Sequence, residues 1–379
     1  MKKENIITLL FGLVLAFALL EALLRIFPIY TTNFTKPNPY FGWSHIENKE
    51  GWFLPSGGCT GEFATYVKIN SKGLRDYEHE YSKPENVTRV LILGDSFMEG
   101  FQVELNQTFA KRLEALFSNS ENKKEIEIIN AGTGGYGTDN ELLFYKYEGY
   151  KYMPDIVILF FFGGNDPIDN YYRLNLKRSI NVNSNNETLE SLYTQKPFFI
   201  IKNGKLILKN FPSSYSKETT TIIKDLFRDC RLCFLIKHLL TKIASSNNIN
   251  KSMEVLNKLY DKEYNSEYIT AWKITEKLLD EIKDVVEKNN SKFLVVYIPR
   301  KEEIGQGRLG NNFYIKKVQN MFLNICKTNN LTCINLSPYF EKIFQTTQQK
   351  LYYDCDGHWN SYGHELAAKI IFKYINNSF

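Results

Sequence analysis

A chain of 379 residues can hold one large domain with insertions or two modest ones. Charged residues make up 23% and apolar residues 43%, the composition of an ordinary globular protein. The net charge of +5 is spread along the chain without a basic stripe, so no nucleic-acid partner is indicated. Tyr and Phe are abundant, at 24 and 27 copies, and an aromatic core accounts for this more economically than carbohydrate-facing platforms.

The amino end opens Met1-Lys2-Lys3, followed by an apolar run from Ile6 to Leu20. Glu21 interrupts it, and Ala22 to Ile29 is again mostly apolar, with Arg25 inside. A signal peptide needs a small-residue cleavage site, and no clear A-x-A site follows the apolar run before Thr31. A span needs about 20 apolar residues, and Glu21 and Arg25 can snorkel to the outer interface. Residues 1–30 are therefore read as an uncleaved signal anchor, with Lys2 and Lys3 inside and the remainder exported. Export permits disulfides among the six cysteines. Cys230 lies near Cys233 and Cys326 near Cys333, which leaves Cys59 and Cys355. Cys230-x-x-Cys233 also has zinc-ligand spacing, but no second such pair follows and His238 is the only His nearby.

Residues 31–88 read as a lead-in that packs on the main domain, with one strand-like run from Phe63 to Ile69. Arg75 in this part is read as half of a structural ion pair. From residue 89 the pattern changes. Val90 to Leu93 is a short apolar strand broken by Gly94-Asp95, and Phe109, Leu113 and Leu116 fall at helical spacing beyond it. Ser96 therefore stands at the carboxyl end of a strand, in a turn that feeds a helix, where ligands bind in open α/β sheets. A helix cap is the plainer role for such a Ser. A second strand, Ile126 to Ile129, runs into a loop with glycines at 132, 134, 135 and 137. No G-K-[ST] follows, so the loop is not a P-loop. A helix capped by Thr138 or Asp139 should run to about Tyr150. Asp155 to Phe162 reads as a central buried strand ending in Gly163-Gly164-Asn165-Asp166-Pro167.

Residues 169–268 break the rhythm and are read as an insertion. It holds a hairpin from Pro197 to Leu208 around Asn203-Gly204 and a helical piece from Thr220 to Ala244. Alternation resumes with a helix Tyr268 to Lys288, a strand Lys292 to Pro299, a helix Asn311 to Lys327, a strand Leu331 to Leu336 and a last helix Tyr362 to Ile375. Short apolar strands alternating with helices imply an α/β domain over 89–379, a parallel sheet of five strands with helices on both faces.

Before the last helix stands Tyr353-Asp354-Cys355-Asp356-Gly357-His358-Trp359. A Ser nucleophile needs a base, and the base needs an acid to orient it. His358 is the one His flanked by acids beside a helix start; Asp356 lies two residues before it, and Asp354 is the substitute acid. His364 is the rival base, at a helical position that suits a structural role. The backbone N–H groups of Ser96 and Gly135 and the Asn165 amide are candidate donors to an oxyanion.

Gly94-Asp95-Ser96-Phe97, Gly135, Gly163-Gly164-Asn165-Asp166 and Asp356-Gly357-His358 resemble the four blocks of the SGNH hydrolases, also called GDSL esterases. The likeness covers roughly 70–170 and 290–375. It implies a flavodoxin-like three-layer α/β/α fold, Ser96 as nucleophile, His358 as base, Asp356 as orienting acid, and Ser96, Gly135 and Asn165 as the oxyanion hole. Many members place the acid three residues before the His, where this chain has Cys355. The D-x-H-W form is similar instead to membrane-linked members, including alginate-type O-acetyltransferases. The implied function is a serine esterase for O-acyl esters, above all O-acetyl esters of an envelope or extracellular polysaccharide, with no cofactor and no metal required. Its implied place is the periplasmic or extracellular side of a membrane. The alternatives are an O-acetyltransferase, a lipase or acyl thioesterase, and an inactive glycan-binding module.

Overall fold

The computed structural model describes residues 3–27, 31–55, 59–120, 125–179, 196–212, 230–233, 235–236, 248–307 and 314–378. The lead-in forms two antiparallel pairs, β1 (Thr35–Asn38) with β2 (Gly42–His45) and β3 (Glu50–Phe53) with β4 (Thr65–Lys68). Only the last of these was legible as a strand. The other three are four-residue strands broken by Gly or Pro or flanked by turns, too short for a period of two to register.

The apolar runs beyond the lead-in become β5 (Thr88–Leu93), β6 (Ile126–Asn130) and β7 (Ile156–Phe162). β8 (Phe198–Lys202) and β9 (Lys205–Lys209) make the expected hairpin, with Asn203 and Gly204 both at positive φ. β10 (Lys292–Ile298) and β11 (Cys333–Asn335) complete the strands. β6, β5, β7, β10 and β11 lie side by side in that order, all parallel. Numbered along the chain this is 2-1-3-4-5, the flavodoxin-like order, and its direction reverses between β5 and β7.

Alternate strand residues feed two cores. Leu91, Leu93, Val157, Leu159, Phe161, Val295 and Tyr297 face helices Thr138–Tyr147, Ser266–Lys288 and Lys317–Thr328. Val90, Ile92, Ile158, Phe160, Leu294 and Val296 face helices Phe109–Ser118, Ser337–Thr347 and Ser361–Ser378. The result is a three-layer α/β/α sandwich. Many of the aromatics sit in these cores, as in the group Phe161, Tyr297 and Phe322. Each fully buried Leu or Phe contributes about 1.5–3 kcal/mol.

Helix Ser337–Thr347 has no counterpart among the expected elements. Pro338 stands in its first turn, where proline is at home. The helix expected from Asn311 begins at Lys317, with residues 308–313 outside the described set. Within 169–268 the described parts are helix Tyr172–Ser179, the β8–β9 hairpin and helix Asn248–Asn257. Most of the helix expected over 220–244 lies outside the described residues, as does His238.

Helix Lys3–Ile26 contains one stretch, Asn5–Leu24, long and apolar enough to cross a membrane, and almost all of it is exposed, with Leu24 buried at its end. Glu21 near the end of this stretch meets another part of the chain. Its carboxylate accepts the backbone N–H groups of Arg231 (3.1 Å) and Leu232 (2.9 Å). Disulfides join Cys59 to Cys355, Cys230 to Cys233 and Cys326 to Cys333, so the C-x-x-C pair is a disulfide and not a set of thiolate ligands.

Candidate active site

β5 ends at Leu93, and Gly94 turns the chain where a Cβ would press Met98 Cγ at 2.6 Å and Phe160 Cβ at 3.3 Å. Asp95 then caps the short helix Ser96–Glu99, its carboxylate accepting the Phe97 N–H at 2.9 Å. The cap is therefore Asp95, which leaves the Ser96 hydroxyl free for another partner. Ser96 Oγ lies 2.7 Å from His358 Nε2. His358 Nδ1 lies 2.6 Å from Asp356 Oδ1. Residues 262 positions apart thus meet at the carboxyl edge of the sheet, beside the strand-order reversal.

The loop that carries His358 is folded on itself. Tyr352 pairs with Trp359, and the Tyr353 N–H donates to the His358 carbonyl at 2.9 Å. The Phe97 ring packs against the imidazole (4.9 Å between centroids) and against Phe162 (4.5 Å), holding His358 over the end of β7. Burial pulls the His358 pKa down, but the hydrogen bond and charge of Asp356, with Asp95 and Glu99 behind it, outweigh this and raise it above the ordinary 6.5. Burial likewise works to raise the Asp356 carboxyl, and its hydrogen bonds from His358 hold it below 3.8 instead.

The rival groups fall elsewhere. Asp354 is exposed and pairs with Lys350. His364 is buried, and its Nδ1 accepts the Phe109 N–H at 3.2 Å. Burial first, then the Arg75 charge, push its pKa down to about 3. Among the described residues Arg75 is in no ion pair: its guanidinium donates to the carbonyls of Glu99 (3.1 Å), Gly100 and Val103, closing the end of the Ser96 helix.

Gly135 follows β6 and Asn165 follows β7, the two neighbours of β5. Gly135 has φ +79, and its backbone N–H, like that of Ser96, has no hydrogen bond among the described residues. The Asn165 side-chain oxygen is buried without a partner, and its amide nitrogen makes no bond there either. The glycine loop is tied to the Ser96 turn by Thr133 N–H to Gly94 O (3.0 Å) and Gly134 N–H to Glu99 Oε1 (2.8 Å). Glu99 Oε1 also meets His45 Nε2 at 2.7 Å, and the Trp43 indole N–H donates to Gly134 O at 2.9 Å. His45, Trp43 and Glu99 were not singled out from sequence, because nothing local marks a residue whose partner lies 54 or 91 positions away. Among the described residues one His/Cys/Asp/Glu group is close enough to hold an ion, Cys59, Glu62 and Cys355, and both of its sulfurs are in a disulfide.

Residues 261–378 match the family described as SGNH hydrolase-like domain, acetyltransferase AlgX. The match takes in Asp356 and His358 and leaves Ser96, Gly135 and Asn165 outside it. No curated protein sequence matches the chain. Among solved structures, the acetyl xylan esterase AlAXEase is similar at 13% identity and TM-score 0.43, over 76% of this chain and 99% of that one. A two-domain esterase (CEX) active on acetylated mannans aligns at 12% identity and TM-score 0.40, over 77% of this chain and 49% of that one. A catalytic mutant of Axe2, an acetylxylan esterase from Geobacillus stearothermophilus, aligns at 11% identity and TM-score 0.40, over 77% and 94%. Likenesses this distant are too weak to assign a substrate or a mechanism. The family match thus covers the last third of the chain, on a sheet of flavodoxin-like order.

Proposed function

We propose that this chain is a serine esterase that cleaves O-acyl esters, above all O-acetyl esters of an envelope or extracellular polysaccharide. The observation that carries the reading is the unbroken relay Ser96 Oγ, His358 Nε2, His358 Nδ1, Asp356 Oδ1. Ser96 Oγ attacks the ester carbonyl while His358 Nε2 takes its proton. Asp356 holds the tautomer that leaves Nε2 free and stabilises the imidazolium. The N–H groups of Ser96 and Gly135 and the Asn165 amide face the negative charge that builds on oxygen, each such donor worth about 3 kcal/mol. Collapse expels the alcohol with the proton from His358. Water, deprotonated by the same imidazole, then releases the acid. In this reading the apolar helix anchors the protein and the disulfide-bearing remainder lies on the periplasmic or extracellular side, where disulfides persist.

A second reading has its own support. The matched family is described by an acetyltransferase, and a sugar hydroxyl in place of water at the second step makes this site a transferase. Full-length protein in detergent, given p-nitrophenyl acetate and an oligosaccharide acceptor, separates the two: free acetate alone supports the esterase, acetylated sugar the transferase. A fluorophosphonate probe should label wild type and not Ser96→Ala. Equal labelling of both, or of neither, removes the enzyme reading and leaves a glycan-binding module.

A further inference from the structure

The lead-in grips the His358 loop at one place. Cys59 is disulfide-bonded to Cys355, the residue immediately before Asp356. Glu62 then offers both carboxylate oxygens to that loop. Oε1 accepts the Cys355 N–H and Oε2 the Asp356 N–H, each at 2.8 Å. Phe63 lies against Tyr353 (5.2 Å between rings) and stacks on Phe53 of β3 (5.8 Å), so the grip is itself braced by the β3–β4 pair.

We propose that Glu62 and the Cys59–Cys355 disulfide are positioning groups that fix the Asp356 carboxylate against His358 Nδ1. The inference rests on the esterase reading and names what holds its acid in place. Asp354 and Cys355 are exposed, and Gly357 sits at φ +85, so this turn has little packing of its own. A carboxylate that accepts two successive N–H groups locks the peptide plane leading into Asp356. Such charge-assisted bonds are roughly twice as strong as neutral ones. The disulfide tethers Cys355, a residue of the same peptide, to the lead-in. Lys301 adds a contact to the Asp354 carbonyl, one residue further out. A misplacement of about 1 Å in a reacting group can cost about a hundredfold in rate, so the grip acts on turnover and not only on stability.

The test uses full-length protein in detergent, with Glu62→Ala, Glu62→Gln and the Cys59→Ser/Cys355→Ser pair, which leaves the other two disulfides intact. Three quantities are read: kcat and KM on p-nitrophenyl acetate, the melting temperature, and the downfield imidazole N–H proton of His358, assigned by its loss in Asp356→Asn. Glu62→Ala and the cysteine pair should each lower kcat about tenfold with KM changed less than about twofold, and weaken the proton signal. Glu62→Gln keeps one acceptor oxygen but turns its NH2 group toward the second backbone N–H, so it should recover only part of the kcat. It is isosteric, so it serves if Glu62→Ala does not fold. A lowered melting temperature with kcat and the proton signal both unchanged would overturn the proposal. Wild type that shows the proton signal but no turnover would sink the esterase reading alone. The grip would then stand or fall on whether the Glu62 variants weaken that signal.

Discussion

Ser96 is the one residue of the stretch Leu91–Gly100 that is not buried, and its hydroxyl meets the His358 imidazole. Because Asp356 raises the His358 pKa, kcat/KM should climb with pH through a midpoint above 6.5, as the base loses its proton. Asp356→Asn removes the main cause of that shift. Its midpoint should fall and its kcat should drop at least about a hundredfold, a pH–rate profile reading both. Asp354→Asn should stay within about twofold of wild type, since Asp354 faces Lys350 and solvent. Loss of activity in Asp354→Asn with little change in Asp356→Asn would reverse the assignment of the acid. These residues were legible because each lies in a short local pattern: Gly-Asp-Ser at a strand end, Asp-x-His before a helix. Glu62 and His45 were not, because they belong to a region of short strands and meet the site only through tertiary contact.

The elements were read with uneven success for a physical reason. Strands buried on both faces are continuous apolar runs, so β5, β7 and β10 stood out within two residues of their ends. Helix Ser266–Lys288 declared itself by Trp272, Leu278, Leu279 and Ile282 on one side. The first three strands of the lead-in left no such trace. Yet β2 is the element that brings Trp43 against the glycine loop after β6 and His45 against Glu99 of the Ser96 helix. That loop is built for one conformation. Gly135→Ala puts a Cβ at φ +79, 3.3 Å from Trp43 Cζ2, at a backbone cost of about 1–2 kcal/mol. The variant should melt lower and lose about tenfold in kcat, because the loop can relieve the strain only by moving its free N–H. Unchanged kcat in a destabilised Gly135→Ala would remove Gly135 from the oxyanion hole.

Across the whole molecule, the interior behind the site is acidic. Asp95, Glu141 and Asp166 are all buried. Burial raises each of them, Asp95 to about 6, and their mutual repulsion adds to the shift in Glu141 and Asp166. Neither Glu141 oxygen has a hydrogen-bond partner among the described residues. A carboxyl held above its ordinary 4.5 binds its proton more tightly folded than unfolded. The stability tied to that proton is complete below pH 4.5 and declines as pH rises beyond it. Glu141→Gln keeps the shape without the titration. It should melt about 2–4 °C above wild type at pH 8, with the gap closing toward pH 4.5 in a thermal scan. A gap that does not change with pH would mean Glu141 is already paired in solution. The meeting of Ser96 with a base 262 positions later has a consequence for synthesis. A ribosome makes and releases the hydroxyl long before the imidazole exists. On the proposed assignment, every nascent chain stopped short of His358 is therefore inert toward esters, and competence arrives only once that residue has been made.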